Sequence, residues 1–498
     1  MARKRRRPPE LVRERHVVEL TDIAYLGEAI ARIDGEVIFV MYGIPGETVE
    51  IELYRQQSKF ARAEVVRVLR PSESRVAPPC PYFGVCGGCQ WQHIAYPAQL
   101  EYKRHVVAEQ LRRLGRFDDA ADLVAPTLPA PQPFHYRNHA RFTGGRQGRL
   151  GFTRWYDHRF LQVRYCYLMH PAINGVLADL QGQAYVKHQV AVRYGVNTGS
   201  LLIQPALSPR TEPAARSGNG APGGDHESST TEPFIPFLPE SQVGPPLSAS
   251  SASSRLGVAA SDAPIAVQLH TRGRPDPDPL PGAEDSDNAI VPESFTGPVA
   301  ATPQLRRPTG QAHYEEALLG RRFRVSAASF FQVNTLQAEQ LVQTVADKLE
   351  LRGDETLVDL YCGVGTFALL LAGRVRRVVG IEESPAALKD ARVNAEGVSN
   401  VEFIVGKAEE VFPSLKAEGI DAVVVDPPRA GLRPPVIEAL IRLRPRKIAY
   451  VSCEPSTLAR DLRLLVDGGF TLTGVQPVDM FPQTYHIECV SILTVQSK

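Results

Sequence analysis

Between residues 11 and 70, apolar and polar positions alternate in short runs: Val17–Leu20, Glu36–Met41, Val49–Tyr54 and Arg62–Leu69. Period-two alternation predicts half-buried strands, and Asp34-Gly35 and Ile44-Pro45-Gly46 between them predict tight reversals. Strands this short and this closely spaced predict a small oligonucleotide-binding-like β-barrel. A helical period follows over Tyr96–Leu114. From residue 335 onward a helix (Leu336–Leu349) precedes strands that alternate with helices. The strands are continuous apolar runs, Thr356–Leu360, Arg377–Ile381, Val401–Val405, Ala422–Val425 and Lys447–Ser452, and Cys489–Val495 closes the chain. Uninterrupted apolar strands between helices predict an α/β, doubly wound, mostly parallel sheet covered on both faces.

One stretch has no period. Residues 205–308 hold 18 Pro, 9 Gly and 13 Ser, with three Phe as the only aromatics. Such a segment cannot bury enough surface to offset its ordering entropy, so a disordered insertion is expected over 207–309. Ser200–Ile203 before it and Phe323–Val325 after it both read as strands of one sheet, which places the insertion inside a domain. The expected organisation is therefore a basic tail (1–10), a barrel (11–70), a central α+β domain (71–206 and 310–330) and a C-terminal domain (331–498).

Charge changes the picture at one end only. The net charge is +1, but residues 1–15 carry seven Lys/Arg against two Glu. A basic tail on a nearly neutral body fits a protein that touches nucleic acid. Lys59, Arg62, Arg67 and Arg70 form either a phosphate-binding face or a solvated edge. No apolar run is long enough to span a membrane, and Pro8, Pro9 and Glu10 stand where a signal peptide needs an apolar stretch. A cytoplasmic protein with no membrane partner is expected, its seven cysteines reduced.

The candidate chemistry lies at strand ends. After the first C-terminal strand, Gly363, Gly365 and Ala368 fit G-x-G-x-x-A, and Glu382 ends the next strand, where a carboxylate commonly accepts ribose hydroxyls. This suits a dinucleotide or S-adenosylmethionine. Asp426-Pro427-Pro428-Arg429 ends the fourth strand, and an Asp-Pro-Pro loop there tilts the reading to S-adenosylmethionine. Cys453 ends the fifth strand just before a helix, whose N-terminus is expected to lower its thiol pKa. If the last strand runs antiparallel, Glu488 faces Cys453 across one cleft, giving a nucleophile and a base. Cys80, Cys86 and Cys89 form C-x5-C-G-G-C, with Cys166 as a distant fourth. Thiol chemistry alone allows zinc or an iron–sulfur cluster.

Phe-Phe-Gln-Val-Asn (330–334), Asp-Leu-Tyr-Cys-Gly-Val-Gly-Thr-Phe (359–367), Asp-Pro-Pro-Arg-Ala-Gly (426–431), Tyr-Val-Ser-Cys-Glu-Pro-Ser-Thr-Leu-Ala-Arg-Asp-Leu (450–462), Asp-Met-Phe-Pro-Gln-Thr (479–484) and His-Ile-Glu (486–488) together resemble the RNA 5-methyluridine methyltransferase family. The resemblance covers the chain outside the insertion. It implies a Rossmann-like S-adenosylmethionine-dependent methyltransferase domain, an N-terminal TRAM barrel and a central iron–sulfur domain. It implies Cys453 adding to carbon 6 of a uracil, Glu488 taking the carbon 5 proton, and Gln332, Tyr361, Glu382 and Asp426 contacting the cofactor. It also implies Arg429 as a base or phosphate contact. The resemblance assigns Cys80, Cys86, Cys89 and Cys166 to a four-iron four-sulfur (4Fe-4S) cluster. It favours ribosomal RNA, specifically the 23S type, over transfer RNA, and implies no obligate protein partner. Thr366 stands where some members have Asn, and Tyr485 where Pro is usual. Two readings compete: a non-catalytic RNA-binding protein, and an amino-group methyltransferase that would stay active without Cys453.

Overall fold

A computed structural model describes residues 14–57, 59–210, 307–416 and 419–496. The basic tail (1–10) and nearly all of the expected insertion lie outside the described residues. The insertion's described ends are anchored: the Leu207 amide donates to Thr309 Oγ1 (2.9 Å), and Arg307 pairs with Asp179 (2.6 Å).

The N-terminal strands form one six-stranded sheet. Its strands are Arg15–Glu19, Asp22–Ile23, Ala29–Ile33, Glu36–Met41, Thr48–Gln56 and Phe60–Arg70. All neighbours are antiparallel except Glu36–Met41 with Phe60–Arg70. Val18, Ile38, Val40, Val49, Ile51 and Val65 fill its interior. Three of the four expected basic residues are paired: Arg62 with Glu28 (3.3 Å), Arg67 with Glu50 (3.3 Å) and Arg70 with Glu19 (3.6 Å).

A long helix (Tyr96–Arg113) leads to a five-stranded sheet that includes His139–Gly144, Gln189–Tyr194 and Leu201–Gln204. Here one expectation is corrected. Leu201–Gln204 is an edge strand of this sheet, whereas Arg321–Ser326 pairs with His313–Leu318 in a separate two-stranded sheet. The free edge of Leu201–Gln204 is met by residues 310–311 instead: the Ile203 amide donates to Gln311 Oε1 (3.0 Å) and its carbonyl accepts the Gly310 amide (2.7 Å).

The C-terminal part is a seven-stranded sheet. Its strands are β1 (Thr356–Leu360), β2 (Arg377–Glu382), β3 (Val401–Val405), β4 (Ala422–Val425), β5 (Lys447–Ser452), β6 (Phe470–Val478) and β7 (Glu488–Val495), in spatial order 3-2-1-4-5-7-6. β7 runs antiparallel to both its neighbours, β5 and β6, and every other neighbouring pair is parallel. Every residue of β1, β4 and β5 is buried, as expected of strands covered on both faces. The strand β6 was not anticipated from the pattern. Among the described residues no helix is long and apolar enough to cross a membrane.

Candidate active site

The carboxyl edge of this sheet collects the candidate residues. At β1 the chain must turn sharply into the helix Thr366–Leu371, and Gly363 (φ 56°) and Gly365 (φ 87°) supply left-handed conformations there. Tyr361, also left-handed at φ 66°, carries that turn's conformational cost. Buried Asp359 accepts the Ala368 amide (2.8 Å) and holds the helix start against the strand. Tyr361, Gly363, Thr366, Gln332 and Asp426 line one pocket. Glu382 stands beside it, accepting the Gly363 amide (3.1 Å) and the Ser384 amide (2.8 Å). Gln332 is brought in from the preceding segment: Asn138 of the central sheet donates to the Gln332 carbonyl (3.1 Å), and its amide to the Val333 carbonyl (2.9 Å). Asn334 then caps the helix Thr335–Leu349 by accepting the Gln337 amide (3.3 Å).

The two candidate catalytic residues come from neighbouring strands. In the β5–β7 ladder Ser452 faces Cys489. The residue after Ser452 is Cys453 and the one before Cys489 is Glu488, so antiparallel register sets thiol and carboxylate opposite each other. Cys453 is half-buried and Glu488 buried. Burial pushes the Cys453 thiol up to about 11, and the Glu488 charge adds to that rise. The Arg429 guanidinium, hydrogen-bonded to the thiol, works against it. The expected lowering by the helix N-terminus is therefore corrected: desolvation outweighs it. Burial also raises Glu488 well above the carboxylate range, with Asp426 adding to the effect, and raises Asp426 to about 7.

The segment before β7 is held by residues whose part was not anticipated. Lys103, fully buried, donates to Asp479 Oδ1 (2.5 Å) and to the Phe481 carbonyl (3.1 Å). Tyr96 donates to Asp479 Oδ2 (2.8 Å), and Gln99 to Gln483 Oε1 (3.0 Å). All three stand on the helix Tyr96–Arg113. Polar residues spaced at 96, 99 and 103, leading into the buried Val106, Val107 and Leu111, were the available signal.

Cys80, Cys86, Cys89 and Cys166 line one cavity of about 650 Å³. Each of the first three feels the charge of Cys166. Gln92 links two of them, accepting the Cys80 amide (3.3 Å) and donating to Cys89 Sγ (3.1 Å). Asn174 fixes the fourth through the Cys166 amide (2.8 Å) and carbonyl (3.0 Å). Among the described residues no three or more His, Cys, Asp or Glu are grouped so as to hold a metal ion. The cavity's far wall includes Phe330, 70% exposed, which also lines the pocket at Gln332. Trp91, His93, Cys362 and Cys489 are buried.

Residues 317–496 match the model of the tRNA (uracil-5-)-methyltransferase family, and residues 9–66 match the TRAM domain. An uncharacterized RNA methyltransferase of Gloeobacter violaceus is 36% identical, covering 96% of this chain and 95% of its own. The chain belongs to the RNA uracil-5-methyltransferase family. A second such relative, from Halalkalibacterium halodurans, is 32% identical and covers 98% of each chain. Among solved structures, the Pyrococcus abyssi tRNA (uracil-54, C5)-methyltransferase in complex with S-adenosyl-L-homocysteine shares the fold. It has a TM-score of 0.61 and 23% identity, covering 97% of this chain and 100% of that one. The protein is thus an S-adenosylmethionine-dependent RNA (uracil-5-)-methyltransferase with a TRAM domain of β-strands and a methyltransferase sheet.

Proposed function

We propose that the protein methylates carbon 5 of a uridine in 23S ribosomal RNA through a covalent Cys453 adduct. The antiparallel register of β5 and β7 supports this most, because it gives a thiol and a carboxylate one cleft beside the Gln332–Asp426 pocket. In this reading the Cys453 thiolate adds to carbon 6 of the uracil. Carbon 5 becomes nucleophilic and takes the methyl of S-adenosylmethionine, releasing S-adenosylhomocysteine. Glu488 removes the carbon 5 proton. The carbon 6–sulfur bond then breaks, the ring double bond returns and the thiolate leaves. A carboxylate raised by burial suits a proton acceptor, and Arg429 favours the thiolate. Gln332, Tyr361, Glu382 and Asp426 hold the cofactor. A target uracil in a stacked or paired region must first be flipped out.

By the same reading Cys80, Cys86, Cys89 and Cys166 hold a 4Fe-4S cluster. The donor set fits: four thiols face one cavity, with Gly87 and Gly88 between two of them. When bound, the cluster supplies a cross-link between residues 80–89 and Cys166, and the methyl transfer written above needs no electron from it. Barrel and cysteine motif together favour ribosomal RNA. The test is transfer of labelled methyl from S-adenosylmethionine to ribosomal and transfer RNA from cells lacking the gene, followed by digestion to nucleosides. Label in 5-methyluridine from ribosomal RNA is expected. Label confined to transfer RNA would keep the chemistry and overturn the substrate.

A further inference from the structure

The N-terminal sheet reaches the catalytic edge through one loop, Ala24–Gly27. Tyr25 donates its hydroxyl to Glu454 Oε1, across 429 residues of sequence. Glu454 directly follows Cys453 and occupies the N-cap position of the helix Pro455–Asp467, yet its side chain makes no cap hydrogen bond. Its carboxylate is instead taken by Tyr25 and by Ser456 Oγ (2.7 Å). On the other side, Ser452 Oγ accepts the Glu454 amide (3.1 Å). Cys453 therefore sits between two residues tied to each other, and the second of them, Glu454, is tied to the N-terminal sheet through Tyr25.

The loop is itself seated. Gly27 (φ 78°) cannot carry a side chain, because a Cβ there would lie 2.6 Å from Tyr485 Cβ and 2.7 Å from Trp91 Nε1. Trp91 Nε1 donates to the Gly27 carbonyl (3.0 Å). Tyr485 belongs to the segment leading to Glu488, and the Tyr25 phenol senses Arg429 and Tyr485 as well as Glu454. One loop of the N-terminal sheet thus touches the chain beside Cys453 and the chain leading to Glu488.

We propose that Tyr25 is a positioning residue for methyl transfer, fixing Glu454 and through it the Cys453 thiol in attacking geometry. This rests on the reading of Cys453 as nucleophile. Small misplacements of a reacting atom cost large factors in rate, so removing this one oxygen should register in the chemistry rather than in RNA affinity.

The test compares single-turnover formation of the covalent adduct with 5-fluorouridine RNA, using 23S ribosomal and transfer RNA transcripts. Wild type, Tyr25→Phe, Glu454→Ala and the double variant are measured, with RNA affinity and melting temperature alongside. Tyr25→Phe is expected to slow adduct formation roughly tenfold with RNA affinity held within about twofold, and to add nothing in the Glu454→Ala background. Three results would overturn the proposal: an unchanged rate, a loss of affinity equal to the loss of rate, or a full additional loss in the double variant. Absence of adduct in the wild type with either RNA would instead remove the nucleophile reading on which the proposal stands.

Discussion

Two settings for cysteine stand in one chain, and their surroundings differ in kind. Cys453 is alone at a strand end, with a guanidinium bonded to its sulfur and a carboxylate on the facing strand. Cys80, Cys86, Cys89 and Cys166 instead face each other, held by amide side chains and backbone. In the proposed reading, the single thiol between a guanidinium and a carboxylate reacts with a substrate that comes and goes. In the proposed reading, the thiols that share a cavity share a ligand, with Gln92 and Asn174 bonded beside them and Arg137 near Cys166. The contrast teaches that the residue type says little, and that the charge and number of neighbours decide the chemistry.

The contrast can be broken most severely at the reactive end. Glu488→Gln should cut turnover on the order of 10²- to 10⁴-fold while adduct formation and the first methyl transfer persist, so that methylated RNA stays attached to the enzyme. Gel mobility of the denatured complex reads this directly, and a variant that turns over normally would remove Glu488 as the base.

Next is the support beneath it. Lys103→Met would leave Asp479 buried without its cation, and a loss of about 3–5 kcal/mol in urea unfolding is expected. Retained stability would mean that the segment before β7 is held by its other partners, among them Tyr96, Gln99, Tyr136, Asn334 and Gln337.

At the other cysteine setting, Cys166→Ser should lower iron content and visible absorbance, with methyl transfer reduced far less than by Glu488→Gln. A purified wild type with bound zinc and a flat visible spectrum would refute the cluster.

The smallest effects are in pH. Burial raises Asp426 to about 7, so the folded state holds this proton more tightly than the unfolded chain does. That contribution to stability is complete below the unfolded carboxylate pKa of about 4 and is lost as pH rises through about 7. Asp426→Asn should therefore flatten the change in melting temperature over this window. Arg429→Ala removes the group that favours the thiolate, so the rise of adduct rate with pH should move to higher pH.

Legibility followed the physics of each element. Strands β1, β4 and β5 were plain because burial on both faces leaves unbroken apolar runs. The edge strand β6 was not, because Thr471 and Thr473 are exposed, Gly474 shifts the register and Pro477 interrupts the run. Cys453 and Glu488 were readable as a pair because an antiparallel last strand sets their register. Lys103 and Tyr25 were not, since their partners lie 376 and 429 residues away and only folding brings them together. The thiol's protonation was misread because a helix terminus is visible in sequence and desolvation is not.

The most direct measurement is to map the attachment point of 5-fluorouridine RNA after proteolysis of the trapped complex. The account predicts one modified peptide, with the nucleotide on Cys453 and none on Cys453→Ala. Methyl transfer that continues in Cys453→Ala, or a nucleotide attached to another residue, would contradict it.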